Sequence, residues 1–172
     1  MTTTPHEIRI LPMQATDIAG VLAVQALCYA PAMNESAQTI LHRLQQAADF
    51  AWVAATPQGI VAYLVTYPSQ LGKLTRLGEA FQVSDSADCL YLHDLAVAPN
   101  GKGLGLGQRL VEHAFALARN RALRHAALVS VQDSGDYWKS LGFAPQDIDQ
   151  PGQRAALASY PAPAIYMTRE LA

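Results

Sequence analysis

The chain is short of charge. Only 15% of its 172 residues are Asp, Glu, Lys or Arg, against about 25% in an average soluble protein. Its 12 basic and 14 acidic residues leave a net charge of −2. No basic field exists to hold a phosphate backbone, so nucleic acid is excluded as a general partner. Cysteine is scarce as well. Cys28 and Cys89 lie far apart and form no CxxC pair, which argues against a disulfide framework or a metal site and predicts two thiols in a reducing, cytoplasmic setting. Long hydrophobic runs are missing. The longest apolar neighbourhood, Phe50 to Val65, is broken by Thr56-Pro57-Gln58-Gly59. That falls well below the roughly 18 uninterrupted apolar residues of a membrane span, so no membrane association is expected. The opening MTTTPHEIRI lacks an apolar stretch after basic residues and does not read as a signal peptide.

What is present is apolar material: 51% of the residues are hydrophobic, enough for one core in one domain over residues 1–172. Ile8, Ile10 and Leu11 read as an opening strand. Asp17 is placed to cap an amphipathic helix through Ile18, Val21, Leu22, Gln25 and Cys28. Ser36 is placed to cap a second helix, Ala37 to about Ala48. Phe50 to Ala55 and Ile60 to Tyr67 read as the strands of a hairpin. Pro68 to Ala87 has no period and reads as a long surface excursion, a length at which loops serve as lids or binding segments. Cys89 to Val97 (CLYLHDLAV) is a strong strand, and a helix runs from about Gly105 to Asn120. Ala126 to Val131 is another strand, and Ser134 to Leu141 a short helix closed by Gly142. Phe143 begins a further strand and Ala164 to Leu171 forms the last. This alternation predicts a mixed α/β sheet.

The most informative stretch is Val97 to Gly107, V-A-P-N-G-K-G-L-G-L-G, between a strand and a helix. Glycines let backbone amides approach a ligand, and the helix start adds a partial positive charge. Together they make a phosphate cradle that needs no cationic side chain. Two familiar phosphate loops fail on spacing. A dinucleotide GxGxxG starting at Gly101, Gly103 or Gly105 would end on Leu106, Gln108 or Leu110, and a Walker loop at Gly101-Lys102 meets Gly103 where it needs Ser or Thr.

The stretch resembles the pyrophosphate loop of the GNAT superfamily of acyl-CoA-dependent N-acetyltransferases, [R/Q]-x-x-G-x-[G/A] after a V-x-P strand end. It maps onto Lys102, Gly105 and Gly107 after Val97 and Pro99, with Lys102 departing from the usual Arg or Gln. A lysine offers a point charge rather than a fork. Downstream, Tyr137 to Phe143 (YWKSLGF) resembles the family's F-Y-x-K-L-G-F. The order of elements agrees over nearly the whole chain. The resemblance implies a sheet of about seven strands, mostly antiparallel, splayed at the cofactor site and flanked by about four helices. It also implies acetyl-CoA as cosubstrate, no metal, and cofactor contacts from Leu95, Ala96, Val97, Lys102, Gly103, Leu104, Gly105, Leu106, Gly107 and Trp138. Homodimers are common in such a family, and nothing in the sequence itself shows one.

Acyl transfer to an amine needs the amine neutral. An alkylamine with pKa about 10.4 costs roughly 4–5 kcal/mol to deprotonate at pH 7, so a nearby base helps. Tyr91 to Val97 (YLHDLAV) resembles the H-L-H-A-L-A-V strand of the serotonin (arylalkylamine) N-acetyltransferases. Their second histidine falls on His93 and their first on Tyr91. The resemblance implies a base or proton relay at His93, with Tyr91 on the same face by strand alternation unless a bulge intervenes. Asp94 then alternates to the other face, as a salt-bridge partner or helix cap. His6, His42, His113 and His125 sit in solvated contexts. The family's leaving-group acid falls on Trp138, which cannot act as an acid. Tyr160 and Tyr166 are candidates for that role, while Tyr137 is expected to point elsewhere.

For the acceptor, the loop with Cys28, Tyr29, Pro31, Met33 and Glu35 offers an apolar wall and one carboxylate. Tyr29, Met33 and Glu35 therefore stand as substrate-binding residues for a small amine, hydrophobic or aromatic, held as its ammonium. A peptide or protein amine, a longer acyl group and a non-catalytic acyl-CoA-binding module remain alternatives.

Overall fold

A computed structural model describes residues 7–172, so His6 lies outside the described residues. The described residues form a seven-stranded mixed sheet with five helices on its faces. The strands are β1 (Arg9–Pro12), β2 (Ala51–Thr56), β3 (Gly59–Ser69), β4 (Cys89–Val97), β5 (His125–Ser130), β6 (Ala144–Pro145) and β7 (Ile165–Glu170). The helices are α1 (Ile18–Cys28), α2 (Ala37–Gln46), α3 (Leu106–Asn120), α4 (Gly135–Ser140) and α5 (Pro151–Ala158). Spatial order is β1-β2-β3-β4-β5-β7-β6. Every neighbouring pair is antiparallel except β4 and β5. A parallel pair needs a crossover, and α3 supplies it.

Local chemistry accounts for most boundaries. Ser36 Oγ accepts from the Thr39 amide at 3.1 Å and starts α2. Gly105, at φ +68°, stands before α3, and Gly142, at φ +87°, follows α4. Both positions use the left-handed backbone that glycine adopts without a Cβ penalty. Leu106, Leu110, Val111, Ala114, Phe115 and Ala118 are the buried stripe of α3. Their i, i+4, i+8 spacing lays that helix on the sheet.

Two expectations are corrected. Asp17 does not cap α1 with its side chain. Its carboxylate accepts from the Gln14 amide at 2.8 Å and closes the preceding single turn instead. Nor is α1 amphipathic: Ile18, Val21 and Val24 are buried as expected, but the exposed side is apolar too, with Ala19, Ala23, Ala26 and Leu27. The expected ring of about four helices holds, with α5 as a fifth, begun by Pro151 at a first-turn position where its missing N–H costs nothing.

Candidate active site

The sheet opens in its middle. β4 pairs with β5 only from Cys89↔His125 to Leu92↔Leu128. Beyond that point β4 stays with β3 as far as Val97, while β5 continues against β7. The two strands diverge, and a groove of about 730 Å³ opens between them. It runs from Leu92, His93 and Leu128 to the glycine loop at the start of α3. Leu95, Ala96, Val97, Lys102, Gly103, Gly105, Leu106, Gly107 and Trp138 all line it, whereas Leu104 packs against the core instead.

Strand divergence leaves carbonyls without ladder partners, and the end of α1 supplies some. The Tyr29 hydroxyl lies 2.9 Å from the Leu95 carbonyl oxygen, and Cys28 Sγ donates to the Val97 carbonyl at 3.2 Å. From the other wall, Gln132 reaches across: its Nε2 donates to the Cys28 carbonyl at 3.1 Å, and its Oε1 accepts from the Ala30 amide at 3.3 Å. Gln132 and Asp133 hold φ of +51° and +57° to make the turn after β5. Burial raises the Cys28 thiol pKa, with the Lys102 charge opposing it.

At the inner end of the groove β4 carries a bulge. Val65 pairs with Asp94 and Thr66 with Leu92, so His93 is the extra residue. An extra residue breaks alternation. His93 and Asp94 therefore border one inner cleft together with Glu35, Arg43 and Tyr63. The expectation that Asp94 turns to the opposite face as a salt-bridge partner or cap is corrected. Its Oδ1 accepts from Tyr29 at 2.6 Å and its Oδ2 from Tyr63 at 2.7 Å. Burial raises the Asp94 pKa, against the lowering effect of His93 and the two tyrosine hydroxyls. Burial and the adjoining Asp94 charge push both tyrosines well above the usual phenol value, so they stay protonated donors.

Glu35 is the second correction. It is not a free carboxylate awaiting an ammonium, for Arg43 Nη1 donates to its Oε1 at 2.6 Å, His93 Nε2 lies 3.0 Å from the same oxygen, and the Gly78 amide donates to Oε2 at 2.8 Å. Burial would raise the Glu35 pKa, but His93 and Arg43 outweigh it and hold the group down at about 2. Arg43 is 2% exposed and also donates to the Glu79 carbonyl from Nε and Nη2. Sequence reasoning missed this arginine. It sits one position before Leu44 on the buried stripe of α2, where charge is expected only if paired.

Tyr91 does not reach the groove. It is 1% exposed and lies in an aromatic cluster, 5.1 Å from the Tyr67 ring and beside Tyr160. Met33 is likewise buried away from the groove lining. Tyr160 and Tyr166 border a separate cleft next to α5. Tyr160 donates to the Thr75 carbonyl at 2.7 Å, and the Tyr166 hydroxyl accepts from the Gly72 amide at 2.9 Å. Both therefore hold down the long loop after β3. Tyr137, expected to point elsewhere, lines the groove at 41% exposure, while Trp138 is buried edge-on against Phe143 at 5.6 Å. Of the remaining histidines, His42 and His113 are exposed and His125 is half-buried. Among the described residues no group of His, Cys, Asp or Glu could hold a metal ion, and no helix is long and apolar enough to cross a membrane.

The fold agrees with known proteins. Solved structures with this fold include Ard1 from Thermoplasma volcanium, at 16% identity and TM-score 0.72, covering 96% of this chain and 99% of that one. The GNAT-like decarboxylase GphF, in complex with isobutyryl-CoA, matches at 17% identity and TM-score 0.73 over 95% and 100% of the two chains. Naa50 of Arabidopsis thaliana, with a bisubstrate analogue joining CoA to an acetylated peptide, matches at 12% identity and TM-score 0.69 over 95% and 98%. No curated protein sequence matches the chain. The model of the acetyltransferase (GNAT) family matches residues 21–143, from α1 through the glycine loop to Phe143, and the chain belongs to that family.

Proposed function

We propose that the protein transfers an acetyl group from acetyl-CoA to a primary amine, by direct attack of the amine on the thioester. One observation carries the reading: the groove where β4 leaves β5 runs into the glycine loop at the start of α3. Gly103 and Gly105 hold φ of +79° and +68°, and nothing lies within 4 Å of where a Cβ on either would stand. The loop is therefore an open cradle whose amides and helix dipole suit a pyrophosphate. Lys102, exposed beside it, adds a point charge. The pantetheine chain would lie along Leu95, Ala96 and Val97, with Trp138 behind it.

The acceptor we infer is a small amine, apolar or aromatic, entering beside Tyr29. The loop between β3 and β4 supports this size limit. It is tied down by Arg43 to Glu79, Gln46 to Phe81, Tyr160 to Thr75 and Ser159 to Leu77, which narrows the space for an extended peptide. The two free thiols are consistent with work in the cytoplasm.

Melting curves with acetyl-CoA, CoA, ATP and NAD test the cradle. A ligand at 100 times its dissociation constant adds about 2.7 kcal/mol, roughly 5–10 °C for a domain of this size. A shift with the CoA compounds alone is expected, and no shift with them overturns the reading. Thiol release over a panel of amines then tests turnover. Trp138, where the resemblance places a tyrosine acid, favours a second reading as an acyl-CoA-binding module. Binding with no release over the whole panel would establish that reading.

A further inference from the structure

The Arg43–Glu35 ion pair fixes the ring of His93. Arg43 Nε and Nη2 donate to the Glu79 carbonyl at 3.0 and 2.6 Å. One hydrogen of Nη1 goes to Glu35 Oε1 at 2.6 Å. The other faces His93 Nε2 at 2.8 Å. A guanidinium does not give up its hydrogens. Nε2 also lies 3.0 Å from Glu35 Oε1, so it sits between the donor and the acceptor of one ion pair. The other ring nitrogen, Nδ1, is buried without a partner. The ring is thus clamped at Nε2 by Arg43 and Glu35, in a side chain 3% exposed.

Asp94 stands differently in the same cleft. Among the described residues no Lys, Arg or His lies within ion-pair distance of it, whereas Glu35 has Arg43. Its two oxygens accept from neutral tyrosines only, and each keeps a lone pair. Like His93 it is half-buried as a residue, and it borders the inner cleft rather than the cofactor groove. Tyr29 lines the cofactor groove, so its hydroxyl joins the groove wall to the carboxylate at 2.6 Å.

Building on the N-acetyltransferase reading, we propose that Asp94, with Tyr29, takes the proton of the acceptor ammonium, and that His93 is a positioning residue locked by Arg43 and Glu35. The ammonium gives one proton to the Asp94 carboxylate, directly or by way of the Tyr29 hydroxyl, which passes its own proton to Oδ1. The neutral nitrogen attacks the thioester carbonyl carbon, the N–C bond forms, and the C–S bond breaks with its electron pair leaving on sulfur. The second amine proton goes from nitrogen to that sulfur. Asp94 returns its proton to water after the amide leaves, so one proton is released per turnover. The groups facing Asp94 are Tyr29 and Cys28 at the end of α1, Glu35 and Arg43 at α2, Tyr63 on β3 and His93 on its own strand.

The test compares Asp94→Asn, Tyr29→Phe and His93→Gln, with phenylethylamine and simple alkylamines as acceptors from pH 6 to 10, and acetyl-CoA melting shifts measured alongside. General-base losses run about 10²–10⁴-fold. Asp94→Asn should lose about 100-fold or more in kcat/KM for the amine, regain much of it as pH approaches the amine's own pKa, and keep its acetyl-CoA shift. His93→Gln, whose amide oxygen can still accept from Arg43, should lose less than about ten-fold. Tyr29→Phe keeps the test open should Asp94→Asn fold poorly. It removes a donor that lowers the Asp94 pKa, so the acid limb of kcat/KM should move to higher pH. A His93→Gln loss matching or exceeding that of Asp94→Asn, or an unmoved limb in Tyr29→Phe, overturns the proposal. Absence of an acetyl-CoA shift in the unaltered protein would instead sink the acetyltransferase reading beneath it.

Discussion

The hydroxyl of Tyr137 rests against Gly107, in the space where a Cβ on that glycine would stand. The contact joins the first turn of α3 to the start of α4, the two helices that flank the outer groove. Only a residue without a side chain leaves room for it.

Gly107→Ala should therefore separate stability from binding. Alanine favours the helix by about 1 kcal/mol over glycine, and the displaced atom is the far end of a flexible side chain. The melting temperature should stay level or rise, while displacement of Tyr137 reshapes the groove and weakens CoA binding several-fold. Calorimetric titration of CoA decides it, and adding Tyr137→Ala should restore affinity. An unchanged dissociation constant in the single variant would show that Tyr137 has no part in shaping the cofactor wall.

Lys102 is exposed at the mouth of the glycine loop. If amides and the helix dipole hold the pyrophosphate, Lys102→Ala should cost less than about ten-fold in CoA affinity, with most of that difference erased by 0.5 M salt, because exposed charges are screened. Titrations at two salt concentrations check this. A loss of a thousand-fold would place the binding energy in the lysine instead.

Glu35 gives the protein an acid-sensitive side. Its folded pKa of about 2 lies below the ordinary 4.5. The stability it contributes is thus complete above about pH 4.5 and is lost as pH falls toward 2. At about 1.4 kcal/mol per unit the contribution is on the order of 3 kcal/mol. Urea unfolding between pH 6 and pH 2.5 should show the unaltered protein losing stability more steeply than Glu35→Gln. The variant should already be weaker at pH 6, since it leaves the buried Arg43 charge half-paired. Two parallel curves would refute the assignment.

Leu110 is fully buried where α3 meets the sheet. Leu110→Ala should destabilise by about 2–5 kcal/mol through lost burial and the cavity left behind. Chemical denaturation would measure it, and a loss under 1 kcal/mol would mean that α3 is packed more loosely than described.

The limits of β4 and the hairpin of β2 with β3 were legible because alternating apolar residues and turn residues are local signals. The glycine loop was legible for the same reason, since its amides need no distant partner. α5 was missed although Pro151 at its first turn and the run Arg154 to Ala158 are ordinary helix signals. Ser36 caps α2 as expected, but Asp17 turns back to Gln14, a choice between two neighbouring amides that composition does not settle.

The sequence by itself determined the sheet, the crossover helix and the cradle, because each rests on residues close together in the chain. It named Glu35 as the acceptor carboxylate and His93 as the base because both residue types suit the chemistry. Only the tertiary structure places each acid among its partners. It brings Arg43 from α2 to within 2.6 Å of Glu35 and 2.8 Å of His93, and the bulge at His93 turns Asp94 toward Tyr29 and Tyr63. A charge is free or spent according to its neighbours in space, and those neighbours lie 8 to 65 residues away along the chain.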